Sequence, residues 1–219
     1  MINRKTIVWM ASIACFTACI GDIFFTIVLG ALKPGYSQLR NTMSNLGVST
    51  SPVSGIISVW WILLGLLMIL FAVGFGKAFN YQKRPVRIAT WLIILYGLGE
   101  GLGSGIFKDE LVNNSLTLSG NIHEIVGGIG TLAILMLPIA MNQVMPRAIH
   151  PAFHLFSLIV LVVGLALLSL FLVRLFPHES NDLFIYKGLW QRLFILDYYI
   201  YLMVIAVIMI KMQQVESKL

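Results

Sequence analysis

The sequence predicts an all-α fold: a polytopic membrane protein whose six transmembrane helices form a bundle with both termini in the cytoplasm. Three observations lead there. Of the 219 residues, 58% are hydrophobic and 11% charged, whereas soluble domains run at roughly 45–50% and about 25%. Charge-poor apolar runs recur along the whole chain, each near the ~17–25 residues a helix needs to cross the hydrocarbon core. The charges between these runs fall unequally on the two sides. Too little polar surface exists to cover a globular core, so a soluble enzyme is excluded. So are a disordered chain and, with two Cys, a disulfide scaffold. A sequence pI near 9.5 does not signal nucleic-acid binding here, because the basic residues serve topology.

The spans are expected at about 6–32, 55–77, 87–107, 121–145, 153–175 and 190–211, within a single transmembrane domain. In lipid every backbone polar group needs an internal partner, so such runs form helices. No alternating ten-residue pattern points to a barrel. Met1–Lys5 followed by an apolar run resembles a signal peptide, but the run is too long for one and no A-x-A site closes it. Ser12-Ile13-Ala14-Cys15 is a poor lipoprotein site, since apolar sequence continues past the Cys. A retained first helix is therefore expected.

Orientation follows from the linkers. One side carries Arg4, Lys5, Lys77, Lys83, Arg84, Arg87, Arg147, Lys211 and Lys218 against Glu216 alone. On the other, Lys33, Arg40, Lys108, Arg174, Lys187 and Arg192 are outnumbered by Asp22, Glu100, Asp109, Glu110, Glu124, Glu179, Asp182 and Asp197. The positive-inside rule makes the first side cytoplasmic, in a multi-pass protein of the cell (inner) membrane. The longest outer link, 33–54, carries Leu39, Met43 and Leu46 at helical spacing and is expected to lie on the membrane or dip into the outer mouth.

Charges within a membrane cost ~2.5–3.5 kcal/mol each on insertion scales, so those inside the apolar runs must face protein or water. Asp22 lies about 15 Å below the outer end of its helix, Glu100 about 10 Å below, and Asp197 about 7 Å beyond Arg192, at 1.5 Å per residue. His123 and Glu124 open the fourth span from the same side. Helical spacing gathers Ser12, Cys15, Cys19, Asp22 and Thr26 into one small-polar stripe, and puts Gly97, Glu100 and Ser104 on one face of the third span. Alternating glycines from Gly97 to Gly105 permit close approach of neighbouring backbones. His123, Gly127 and Thr131 align on the fourth span. On the sixth, Trp190, Asp197 and Tyr201 align, with Arg192 about 140° away.

These residues describe an outward-opening polar cavity. Glu100, His123 and Asp22 are its candidate catalytic residues: a carboxylate as base, an imidazole as acid or base. The same three are candidate ligands for a divalent metal, the one cofactor the residue types suggest. Glu124, Asp197 and Arg192 are candidate substrate contacts, Arg192 as a phosphate or carboxylate clamp. The competing reading is an ion-pair network in which Arg174, Arg192 and a protonated His123 neutralise the acids. Elsewhere, His150 and His154 suit a helix start at the interface. Cys15 and Cys19 suit helix packing, and His178-Glu179 a solvated loop. Ser44, outside any G-x-S-x-G elbow, suits a turn or cap.

Pro34-Gly35-Tyr36-Ser37 and Met43-Ser44-Asn45-Leu46-Gly47, with His123 and Gly188-Leu-Trp-Gln-Arg192, resemble a bacterial and archaeal family of small six-span proteins carried as domain of unknown function 998. The resemblance covers most of the chain and implies the topology, with no activity. Tyr36 and Ser44 of this outer loop are further candidate substrate contacts. The residue after the loop Ser, often acidic in that family, is Asn45 here. The Ser-x-x-Gly loop is also similar to DRAM/Sfk-like six-span proteins linked to lipid handling. Three functions stay open on the sequence: an enzyme or binding protein acting on a lipid or lipid-linked molecule in the outer leaflet, a small proton-coupled transporter, and a non-catalytic membrane partner. Beyond the lipid bilayer, neither a partner nor an oligomeric state is specified.

Overall fold

The computed structural model describes residues 3–112, 115–175 and 182–216. His178 and Glu179 of the last outer link, and Lys218 among the inner charges, lie outside these. Six helices are long and apolar enough to cross a membrane: Arg4–Leu32, Ser54–Phe79, Arg84–Ile106, Leu118–Val144, Pro151–Leu175 and Lys187–Gln214. Each packs against its neighbours in sequence, and the sixth returns to the first, closing a ring. An even number of spans leaves both termini on one face. The only strands among the described residues are a two-residue pair, Leu111–Val112 against Ser115–Leu116, at the opposite face.

Local sequence explains the helix boundaries. Asn3 caps the first helix, its side chain accepting from Thr6 N at 2.7 Å. Thr117 caps the fourth through Gly120 N at 3.1 Å. Pro85 and Pro151 sit in the first turns of the third and fifth, where no backbone N–H is missed. The second helix ends at Asn80, whose φ of 69° takes the left-handed conformation that Asn tolerates. Arg4 donates to the carbonyls of Lys77 and Ala78 at 3.0 Å, satisfying the last turn of that helix.

The first helix shows how one element meets two environments. Ser12, Cys15, Cys19, Asp22 and Thr26 are buried, while Ile13, Ile20 and Ile27 are exposed at 57%, 57% and 53%. The heptad-spaced isoleucines face lipid, and the small-polar stripe faces protein. Lipid tails are as apolar as the core, so close packing rather than water exclusion holds such helices together. Between the chamber described below and the termini, Met68, Phe71, Phe75, Ile134, Leu202, Ile205 and Met209 fill the bundle with no exposed surface. Cys15 and Cys19 lie in this packing as free thiols. His150 stands at the cap position of the fifth helix, before Pro151.

The third helix departs from a plain α-helix. Residues Gly97–Gly103 form a π-helical segment centred on Glu100. Such segments are rare and widen the helix locally. Here four glycines accommodate it. A Cβ on Gly99 would lie 2.2 Å from the Val126 carbonyl, and one on Gly101 would lie 2.4 Å from Gly65 Cα. The widened turn is thus wedged between the second and fourth helices, backbone against backbone.

Candidate functional site

On the face opposite the termini, a small chamber of about 40 Å³ lies inside the ring. It is lined by Asp22 of the first helix, Trp61 and Leu64 of the second, Tyr96, Glu100 and Ser104 of the third, and His123 of the fourth. Gln191, Ile195 and Tyr199 of the sixth complete it, under Met43 and Ser44 of the long loop. A second space of about 360 Å³ adjoins it between the fourth and fifth helices. Its walls are largely apolar, with Leu132, Leu168, Phe171, Leu172 and Leu175, but Ser44, Glu100, His123 and Gln191 line both spaces. The fifth helix buries little of itself, only Ser157, Val160, Gly164 and Leu168, and this loose packing leaves the groove open.

Asp22 is nearly sealed, at 2% exposure. Its Oδ1 accepts from Trp60 Nε1 at 3.0 Å and its Oδ2 from Tyr199 OH at 2.9 Å. Tyr96 OH in turn donates to Tyr199 OH at 3.3 Å. The Trp60 ring stacks on Phe25 at 4.3 Å between centroids and lies over Gly21, where a Cβ would meet it at 2.2 Å. Neutral donors alone therefore hold this carboxyl, in a chain that orders aromatics from three helices. Glu100 accepts from Thr131 Oγ1 at 2.5 Å through Oε1, and its Oε2 bonds no described residue.

His123 is buried, at 8% exposure. Its Nδ1 lies 2.9 Å from the Phe107 carbonyl. A carbonyl only accepts, so Nδ1 carries the proton and donates; in the neutral ring Nε2 is then the lone-pair acceptor. Nε2 bonds no described residue. The carbonyl orients the ring as it would for a base or a ligand. Among the described residues, no group of three His, Cys, Asp or Glu side chains is placed to hold a metal ion.

Residues 33–54 fold back over the chamber as a lid. Tyr36 OH donates to Thr42 O at 3.0 Å and receives Arg192 at 2.5 Å. Burial raises the Tyr36 phenol above its ordinary range, and the Arg192 guanidinium partly offsets this; the phenol keeps its proton at neutral pH. Arg192 also donates to the carbonyls of Asn41 and Gly188 at 2.9 Å. Gln191 Oε1 accepts from Met43 N at 2.7 Å, and Leu189 N donates to Leu39 O at 2.9 Å. Ser44 Oγ donates to Asp109 Oδ2 at 2.8 Å, Lys33 reaches the Asn45 carbonyl, and Lys108 reaches Ser54 Oγ. Desolvation lowers the Lys33 ammonium from its ordinary range.

Replacing Arg192 with lysine should loosen this lid, because a point ammonium cannot serve three acceptors in a fork. Backbone amides of residues 36–46 should exchange with deuterium about tenfold faster, as a loss of roughly 1.4 kcal/mol requires. Unchanged exchange there would show that the lid does not depend on Arg192.

The structure therefore sorts the sequence candidates. Asp22, Glu100, His123 and Ser44 come together around one chamber. Glu124 lines only the groove, where Arg174 holds it through two hydrogen bonds of 3.1 and 2.7 Å. Arg192, expected as an anion clamp, and Tyr36 do not line the chamber but tie down its lid. Asp197 also falls outside. The sixth helix presents Gln191, Ile195 and Tyr199 to the chamber, at intervals of four, whereas the Asp197 face carries Tyr201, bonded to Ser157 of the fifth helix at 2.8 Å. Equal depth had suggested convergence, but depth does not determine rotational phase. Of the expected ion-pair network only Arg174–Glu124 forms among the described residues. Sequence reasoning missed Asp109, Gln191, Tyr96 and Tyr199. The i, i+4, i+8 spacing of Gln191, Ile195 and Tyr199 was the available signal.

A family model described as "Protein of unknown function (DUF998)" matches residues 16–208. The chain belongs to this family. The match spans every residue that lines the chamber and the groove. No curated protein and no solved structure matches the chain. Membership of DUF998 thus comes with six apolar helices and leaves the chemistry to be argued from the chamber.

Proposed function

We propose that the protein binds a membrane amphiphile, its polar head in the chamber and its chain in the groove between the fourth and fifth helices. On the positive-inside reading this is the outer leaflet. The observation that carries the proposal is that the two adjoining spaces share Ser44, Glu100, His123 and Gln191 as lining residues. Apolar walls with a few convergent polar groups are the usual make-up of a small-molecule site. His123 Nε2 takes a hydrogen bond or proton from the head, and Ser44 and Gln191 place it under the lid. The Ser44 hydroxyl donates to Asp109, which favours a positioning role over that of a histidine-activated nucleophile. Apolar packing between chamber and termini favours a one-sided site over a path across the membrane.

The test uses Gly128, which lines the groove and has open space where a Cβ would be. Gly128→Phe should fill the groove without touching the chamber. Amphiphile co-purifying with the protein from host membranes, measured by native mass spectrometry, should fall about tenfold or more, equivalent to roughly 1.4 kcal/mol. Equal occupancy in wild type and variant would refute the reading.

A further inference from the structure

We infer that the head bound in the chamber is a small cation of the ammonium type and not a phosphate; this rests on the amphiphile reading above. Two carboxyls, Asp22 and Glu100, line the chamber, and among the described residues no Lys or Arg does. The cations around it are engaged elsewhere. Arg174 holds Glu124, Arg192 holds Asn41, Gly188 and Tyr36, Lys33 holds the Asn45 carbonyl, and Lys108 holds Ser54. Asp22 receives hydrogen bonds from neutral donors only. A phosphate would add negative charge beside two carboxyls in a region of low dielectric, with no Lys or Arg side chain in the chamber wall among the described residues.

Among the described residues, the unmatched atoms of the chamber's own lining are acceptors, whereas the unpartnered donors Arg174 Nε and Arg192 Nε belong to residues outside it. His123 is more than nine-tenths buried, its Nδ1 proton is spent on Phe107, and its Nε2 meets no donor among the described residues. Glu100 Oε2 is likewise an acceptor without a donor. An ammonium brings three donors and no acceptor, so it satisfies both. Trp61, Tyr96 and Tyr199 line the same space, and aromatic surfaces attract cations more strongly when water is excluded. Of the two spaces the chamber is the smaller, which suits a compact head with its chain outside.

The test compares three probes of one chain length, hexadecylamine, hexadecyl phosphate and hexadecanol, against the full chain in nanodiscs of zwitterionic lipid. Native mass spectrometry reads occupancy. The amine should bind about tenfold or more tighter than the phosphate. Glu100→Gln keeps an acceptor for Thr131 but removes the charge; it should weaken the amine about tenfold and the alcohol by clearly less. Phosphate binding as tight as the amine, or an amine affinity indifferent to Glu100→Gln, would overturn the cationic head while the amphiphile reading stands. Failure of all three probes to bind wild type, or binding unaffected by Gly128→Phe, would overturn both.

Discussion

Gly99→Ala and Gly101→Ala are each expected to lower the thermal stability of the detergent-solubilised protein by several degrees, and together to prevent folding. A Cβ at position 99 would lie 2.2 Å from the Val126 carbonyl and 2.9 Å from Gly130. At position 101 it would lie 2.4 Å from Gly65 Cα and 2.6 Å from Gly65 N. In both cases the obstacle is backbone, which cannot rotate aside as a side chain can. Overpacking of this kind typically costs about 1–3 kcal/mol per site. The two sites press on opposite partners, the fourth helix and the second, so relief at one does not relieve the other. Both substitutions also shift the π-helical segment that carries Glu100, so amphiphile occupancy should fall with stability. Gly128→Ala is the control. It meets nothing within 4 Å and exchanges glycine for the best helix former, so its melting temperature should be unchanged or slightly higher. Equal melting temperatures for Gly99→Ala and Gly128→Ala would mean that the helices are not in backbone contact there.

Asp22→Ala is the second large effect. It strands Trp60 Nε1 and leaves Tyr199 OH with Tyr96 OH as its only neighbour. A stranded buried donor costs about 1–3 kcal/mol. Measured couplings between hydrogen-bonded side chains within bilayers average lower, at about 0.6 kcal/mol. Two donors from different helices converge here on one carboxyl, so a loss of about 2 kcal/mol is expected. Asp22→Asn should cost less, because its carbonyl oxygen still serves one donor. The emission of Trp60 provides a local readout, since its ring is held between Phe25 and Gly21. In Asp22→Ala the ring should gain mobility, seen as lower fluorescence anisotropy against a background in which the other tryptophans are replaced. If the two variants melt alike, the carboxyl does not organise the second and sixth helices.

Some of this was legible in the chain. The buried face of the first helix follows from small and polar residues at intervals of three and four, because only one side of a helix can avoid lipid. Helical spacing likewise puts Glu100 with Ser104, and His123 with Thr131, on single faces of their helices, and Thr131 bonds Glu100 across the two. Asp197 and Arg192 illustrate the limit. Both are polar residues at the right depth on the right side, yet one lies outside the chamber and the other is bound to the lid. On the sixth helix nearly every face offers an aromatic or polar residue, so periodicity does not single out the face that looks inward. The π-helical turn was equally hidden. Alternating glycines permit it, but they equally permit an ordinary close-packed α-helix.

By itself, then, the sequence determined six apolar helices, the sidedness of their charges, and the need to shelter Asp22 and Glu100 from lipid. Each of these depends on transfer energies summed over a single segment, for which neighbours hardly matter. Tertiary structure alone decided which sheltered groups meet. The rotation of the sixth helix brings Tyr199 to Asp22, and the loose seat of the fifth opens the groove. The anchoring of the loop by Arg192, Gln191 and Asp109 closes the chamber from above. These outcomes depend on how surfaces from distant parts of the chain fit together, and no local pattern of residues carries that information.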